Sequence, residues 1–292
     1  MYEKGGRFML YQKLSISDIQ KNKQLFKVWN LVCEAHKGQK RKGAKKGVQP
    51  DYVTHLFKVL EIMANAFGNP KKTLHNEKLL PLFVVALMHD VIEDTVINSQ
   101  EKLAWVLEPV LGKSVAQNIS FIVKELSNPA SGFVGTTPQE QDEVKKQWQI
   151  NHVKNISIFA KMVKMADQIS NMADCGDIEM TKINQYGKKI QVWSDDKKKC
   201  YLDKALSVCQ SCLTGITDIS YEQKNTFQQL MLLANSVYDY SLLKMNNPLV
   251  HRLDFFDTIN YSFQQTKPLL VERSFLIKKA SVDIKSNTIN TR

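Results

Sequence analysis

The stretch Leu79-Leu80-Pro81-Leu82-Phe83-Val84-Val85-Ala86-Leu87-Met88-His89-Asp90-Val91-Ile92-Glu93-Asp94-Thr95 decides how the rest of the chain is read. An almost unbroken apolar run passes directly into His-Asp-x-x-Glu-Asp. A core helix ending this way suffers a large desolvation cost unless something offsets it, and a bound cation is the usual solution. Glu93 lies three and four residues beyond Asp90 and His89, so it returns to their face of a helix. The alternative is a solvated helix end carrying scattered charges. That alternative predicts no partner ligands elsewhere.

Two partner ligands are present. His55 opens the apolar-periodic segment Tyr52-Val53-Thr54-His55-Leu56-Phe57, and Asp167 sits in Lys161-Met162-Val163-Lys164-Met165-Ala166-Asp167-Gln168-Ile169-Ser170-Asn171-Met172. In the second segment Met162, Met165, Ala166, Ile169 and Met172 recur at helical spacing, with Asp167 at the edge of the apolar stripe. His55, His89, Asp90 and Asp167 make a mixed nitrogen and oxygen set. Such a set suits Mn, Fe, Co or Zn better than a soft thiolate site would.

The order His … His-Asp-x-x-Glu-Asp … Asp-x-x-x-Asn resembles that of the HD-superfamily metal hydrolases. The fuller wording is similar to the hydrolase domain of RelA/SpoT proteins and of the small single-domain alarmone hydrolases, from about Phe26 to about Leu213. The resemblance implies hydrolysis of the 3′-pyrophosphate of (p)ppGpp with one Mn²⁺ held by His55, His89, Asp90 and Asp167. It implies catalytic roles for Glu93 and Asp94, with Glu93 orienting or deprotonating the water. Asp94 could equally hold a ligand histidine in its tautomer. For the substrate it implies Arg41 and Lys42 in the basic pair of the loop after the first helix, Tyr52, and a Lys-x-x-Gln-x-x-His run. That run points to Lys146 or Lys145 at a phosphate and His152 near the substrate. Asn171 would bond a ribose or nearby hydroxyl, and Lys197 stands where the family has an arginine. The loop 38–50 is longer here, and Leu56 replaces the proline after the ligand histidine.

The 292 residues carry 40 Lys and Arg against 29 Asp and Glu, a formal charge of +11. A basic excess attracts anions in general. It is densest in His36-Lys37-Gly38-Gln39-Lys40-Arg41-Lys42-Gly43-Ala44-Lys45-Lys46-Gly47, a glycine-rich run beside a candidate ligand. That position favours a small polyphosphorylated guanosine nucleotide over nucleic acid. No run reaches the roughly 18–20 apolar residues of a membrane span, so no membrane partner is expected. The N-terminal segment has no apolar h-region, and the five cysteines are an odd number, so reduced thiols and a cytoplasmic setting are expected. Cys209-Gln210-Ser211-Cys212 lies on a helical pattern and reads as core rather than as a zinc or redox pair.

Helical period dominates throughout, and the expected fold is all-α, about ten helices around a central site. The segments read as helices are 15–36, 52–67, the run into His89, 100–112, 114–126, 140–155, one starting at Ser194, and 221–243. Phe255 to Phe263 could form another. Trp105, Val106, Leu111, Ile119, Phe121, Ile122 and Val123 are expected in the core, and 127–138 reads as a loop near the site mouth. The organisation expected is a tail over 1–14, a hydrolase domain over 15–218 and a helical appendage over 219–292 with an unstructured end. The appendage is too short for a synthetase domain and shows no glycine-rich phosphate loop, which implies hydrolysis without synthesis. It offers a surface for self-association or a protein partner. The alternatives are a phosphohydrolase acting on NADPH or another nucleotide, and a non-catalytic regulatory protein on the same scaffold; a pure binder would need neither Glu93 nor Asp94.

Overall fold

A computed structural model describes residues 11–41, 50–129, 131–177, 181–183, 189–191 and 193–246. Lys42, most of the basic loop, the segment 255–263 and the polar C-terminus lie outside the described residues. Among the described residues the fold is all-α. Its helices are α1 (Ile16–Gln20), α2 (Lys23–Ala35), α3 (Val53–Ala66), α4 (Pro70–Thr73), α5 (Leu80–Met88), α6 (Val91–Asp94), α7 (Gln100–Leu111), α8 (Lys113–Leu126), α9 (Pro138–His152), α10 (Ile158–Asp177), α11 (Asp195–Cys212) and α12 (Tyr221–Asn246). One hairpin that the helical pattern did not anticipate pairs β1 (Thr181–Ile183) antiparallel to β2 (Lys189–Gln191).

The centre of the fold is the meeting of α3, α5 and α10. Leu80 and every residue from Leu82 to Met88 are buried, so α5 is enclosed on all sides, as its unbroken apolar sequence requires. Around it pack α2, α3, α8 and α10. On α10 the stripe Met162, Met165, Ala166, Ile169 and Met172 is fully buried. Each methionine or isoleucine side chain of the stripe taken out of water contributes roughly 1.5–3 kcal/mol.

Two expectations are corrected here. The single helix read over 15–36 is two helices. Ser15 caps the first, its backbone N–H bonded to Asp18 Oδ2 at 3.0 Å. Asn22 starts the second: its side-chain oxygen accepts from Leu25 N at 3.1 Å, and its amide donates to the Leu74 carbonyl at 2.8 Å. Asparagine inside an apparent helix was acting as a cap. Trp105 and Phe121, placed in the core by their size, are 76% and 54% exposed. Leu103 and Leu107 turn the inner face of α7 toward the core, and Trp105, midway between them, falls on the opposite side. Ile119 and Val123 do the same to Phe121 on α8. The helix α12 packs against α10 and α11. Phe227, Leu230, Leu233, Ala234 and Val237 join the same continuous core as the α10 stripe, and Ser241 Oγ donates to the Met172 carbonyl at 3.0 Å.

One buried carboxyl gives the fold a pH signature. Glu61 on α3 is 1% exposed, and its Oε1 accepts the Leu14 N–H. Burial raises its pKa from 4.5 to about 8, against the pull of Lys13 and Lys58. A carboxyl raised in the folded state binds its proton more tightly than the unfolded chain does. Its contribution is therefore complete below pH 4.5 and is lost as pH rises through about 8. Melting temperature measured by calorimetry should fall across that window, and Glu61→Gln, which cannot ionise, should flatten the fall. An equal fall in the variant would assign it to other groups.

Candidate metal centre

The last turn of α5 delivers His89, the junction to α6 delivers Asp90, the first turn of α3 delivers His55, and the middle of α10 delivers Asp167. His55, His89 and Asp167 are 1%, 3% and 5% exposed. Each offers a ligand atom within 4.8 Å of those of the other two. His55 Nε2 lies 3.3 Å from Asp167 Oδ1, and His89 Nε2 lies 3.7 Å from it. Asp90 Oδ2 is 3.1 Å from His89 Nε2 and 3.7 Å from His55 Nε2. Asp90 thus sits against both imidazoles, outside the tighter trio.

The outward ring nitrogens are tethered. His55 Nδ1 bonds Ser170 Oγ, and His89 Nδ1 bonds the Ala86 carbonyl, both at 2.9 Å. These contacts fix the tautomer of His89 and aim both Nε2 atoms inward. Asp94 takes no part in either tether; its carboxylate is solvent-facing and its carbonyl accepts from Gln39 Nε2 at 2.6 Å.

Two inward imidazole nitrogens and carboxylate oxygens, buried together, match the donor set of a divalent transition metal. His89 Nε2 is buried and, among the described residues, makes no hydrogen bond. A buried nitrogen 3.1 and 3.7 Å from two carboxylates fits a site for a cation. The field of the cluster agrees. Burial alone would lower the His89 pKa, but Asp90 and Asp167 lift it to about 10. Burial would raise both carboxyls, yet the neighbouring positive groups hold Asp90 and Asp167 below the usual range, His89 foremost for Asp90 and Lys164 foremost for Asp167.

Asp167 presents a single oxygen to the histidines. Oδ1 faces them and also accepts from Asn171 Nδ2 at 2.6 Å. Oδ2 is held back by Gln168 Nε2 at 2.9 Å and Lys164 Nζ at 3.2 Å. Lys164 and Gln168 were missed in the sequence, although Lys164 lies at the i−3 position where a helix brings side chains together. Tyr52 Oη donates to Asp90 Oδ2 at 2.6 Å, and its ring stacks on the buried His36 with centroids 5.1 Å apart.

Glu93 stands on α6 beside this centre, and Asn128 grips its carboxylate at both oxygens. The backbone N–H of Asn128 donates to Oε1 at 2.7 Å and its Nδ2 to Oε2 at 2.6 Å. Gln149 Nε2 reaches Asn128 Oδ1 at 3.4 Å, which links α9 to the same clamp. Desolvation and the Asp90 carboxylate push the Glu93 pKa up, and the Asn128 bonds oppose them. Gln149 is the glutamine of the Lys-x-x-Gln-x-x-His run, whereas Asn128 carries no sequence signal beyond its polarity in a loop.

Arg41 joins the centre through α10: its Nη2 donates to Asn171 Oδ1 and its Nε to Asp174 Oδ2 at 3.0 Å. Three further candidates are engaged elsewhere. Lys146 Nζ is 3.4 Å from Glu143 Oε2. His152 Nε2 donates to the Glu125 carbonyl at 2.6 Å while its ring stacks on Trp148 at 4.3 Å. Lys197 Nζ lies 5.3 Å from the centroid of Trp193. Among the described residues none of these three bonds a residue of the cluster. Cys209 and Cys212 are both buried in α11, in keeping with a core reading.

No protein-family model matches the chain. It is 26% identical over 210 residues to the guanosine-3′,5′-bis(diphosphate) 3′-pyrophosphohydrolase MESH1 of Danio rerio, a match covering 71% of this chain and 92% of that protein. It is 28% identical over 145 residues to MESH1 of Xenopus tropicalis, covering 50% of this chain and 65% of the relative. It is 27% identical over 173 residues to the bifunctional (p)ppGpp synthase/hydrolase SpoT of Escherichia coli K12, covering 59% of this chain and 21% of that longer protein. A solved structure of a metazoan SpoT orthologue, described as hydrolysing ppGpp, superposes with a TM-score of 0.48 at 19% identity, over 78% of this chain and 97% of that one. The resemblance read from the motifs is met again in sequence similarity over half to about seven-tenths of the chain. No helix of the described residues is long and apolar enough to cross a membrane.

Proposed function

We propose that the chain is a metal-dependent (p)ppGpp 3′-pyrophosphohydrolase with Mn²⁺ as its metal. The observation that carries this reading is the buried cluster of His55, His89 and Asp167. It lies in a chain similar to MESH1 of Danio rerio over nearly all of that protein's length. The products are GDP or GTP and pyrophosphate.

His55, His89, Asp90 and Asp167 would hold the metal. When bound, it supplies Lewis-acid polarisation of a phosphate oxygen and a lowered pKa for water. The protein's own groups do the rest. Ser170 and the Ala86 carbonyl keep the two imidazoles aimed inward. Lys164 and Gln168 hold back one oxygen of Asp167. Glu93, fixed by Asn128, takes the proton of the attacking water on a carboxylate oxygen. Its raised pKa suits a base that must accept a proton near neutral pH. Arg41, Lys42 and Tyr52 face the nucleotide, the flat guanidinium being suited to a purine or phosphate. Asn171 serves a ribose hydroxyl, and Asp94 stands beside Glu93 as a further carboxylate.

The test is a turnover assay with Mn²⁺ on ppGpp, pppGpp, NADPH and ordinary nucleoside triphosphates. Pyrophosphate release from the two alarmones is expected. Turnover of NADPH or another nucleotide with ppGpp inert would overturn the substrate assignment. Metal-loaded protein inert on the whole panel would overturn the enzymatic reading.

A further inference from the structure

Arg41 leaves the loop after α2 and is held on α10 at two points. Its Nε donates to Asp174 Oδ2 at 3.0 Å and its Nη2 to Asn171 Oδ1. Asn171 and Asp174 are three residues apart, so both acceptors lie on one face of the helix. Asn171 also bonds Asp167 Oδ1, so this face is continuous with the metal centre. The guanidinium carbon lies 5.7 Å from the centroid of Tyr52, the same ring whose hydroxyl bonds Asp90. Asp174 is not an isolated partner. Its Oδ1 accepts from Lys58 Nζ at 2.7 Å, one turn along α3 from His55. The side chains of Arg41 and Asp174 are 16% and 17% exposed.

We infer that Asp174 is a positioning residue for the substrate, acting through Arg41. This deepens the proposed function and rests on it. An arginine left free on a loop must be ordered by each nucleotide that binds. Two fixed acceptors on a rigid helix order it beforehand, with the guanidinium carbon 5.7 Å from the Tyr52 centroid. Lys58 holds the second oxygen of Asp174, so the carboxylate cannot swing away from Nε. Asp174 touches neither the cluster nor Glu93, so its loss acts on binding rather than on the chemical step.

Asp174→Ala should raise KM for ppGpp by about tenfold or more while kcat stays within about twofold. Manganese stoichiometry should be unchanged. Asp174→Asn keeps an acceptor for Nε but no charge, and should fall between wild type and Asp174→Ala; it also guards against a folding defect in the alanine variant. In an Arg41→Ala background, either Asp174 substitution should add little further. A purely structural Asp174 would lower melting temperature and add its effect equally in both backgrounds. Unchanged KM in Asp174→Ala, or full additivity with Arg41→Ala, would overturn the inference. Those outcomes are read on a nucleotide that the wild-type protein turns over, so they fall on Asp174 alone. A wild-type protein inert on every nucleotide would overturn the function and this inference together.

Discussion

Asp167→Ala is expected to lose its bound Mn²⁺ and its turnover together. Asp167 Oδ1 faces both histidines, and the side chain holds the cluster's links to Asn171, Gln168 and Lys164. Its removal deletes one donor and leaves Lys164 in a buried position without its carboxylate. Loss of several kcal/mol of transition-state stabilisation corresponds to roughly a thousandfold or more in rate. The binding half is read without any activity measurement. A metal at about a hundred times its Kd stabilises the folded state by ~2.7 kcal/mol, so Mn²⁺ should raise the wild-type melting temperature by several degrees. The variant should show no such rise and no metal after dialysis. Persistence of both metal and turnover would remove Asp167 from the centre. Asp167→Asn, which keeps the shape, separates loss of charge from collapse of the site.

Glu93→Ala should behave in the opposite way on one axis: metal retained, turnover lost by about 10²–10⁴-fold, the usual share of a general base. The side chain is clamped by Asn128 and, among the described residues, makes no hydrogen bond with the histidines, so the donors survive its removal. The sign of the pH dependence follows from its raised pKa. Glu93 must be ionised to accept a proton, so kcat should fall as pH drops, with a midpoint above the ordinary 4.5. The residual activity of Glu93→Ala should lack that acid limb. A variant with full activity would take Glu93 out of the mechanism.

The metal centre was legible in the sequence because each of its members sits in a strongly periodic helix. His89 and Asp90 terminate an apolar run, and Asp167 edges a methionine-rich stripe, so the burial that makes these groups costly is visible in their neighbours. Asp174 and Asn128 were not legible. Their contacts depend on partners 133 and 35 residues away, and no local pattern encodes such distances. The helices were legible to within a few residues where caps were plain, as with Ser99 and Ser194. Asn22 misled because a capping residue and a tolerated helical one look alike without the carbonyl of Leu74 to bond. Trp105 misled for a different reason: size suggested burial, while its phase between Leu103 and Leu107 pointed outward.

Lys164, Asp167, Asn171 and Asp174 occupy one edge of a single helix, α10, at intervals of three, four and three residues. The proposed ion-holding and nucleotide-holding ends of the centre are thus graduations on one ruler. Side chains on such a ruler can be exchanged one at a time, but the ruler cannot be lengthened between its marks. One residue inserted after Asp167 would swing everything downstream by about 100° and turn Asp174 away from Arg41. An insertion inside α10 therefore disrupts the whole arrangement, whereas a single substitution alters one mark.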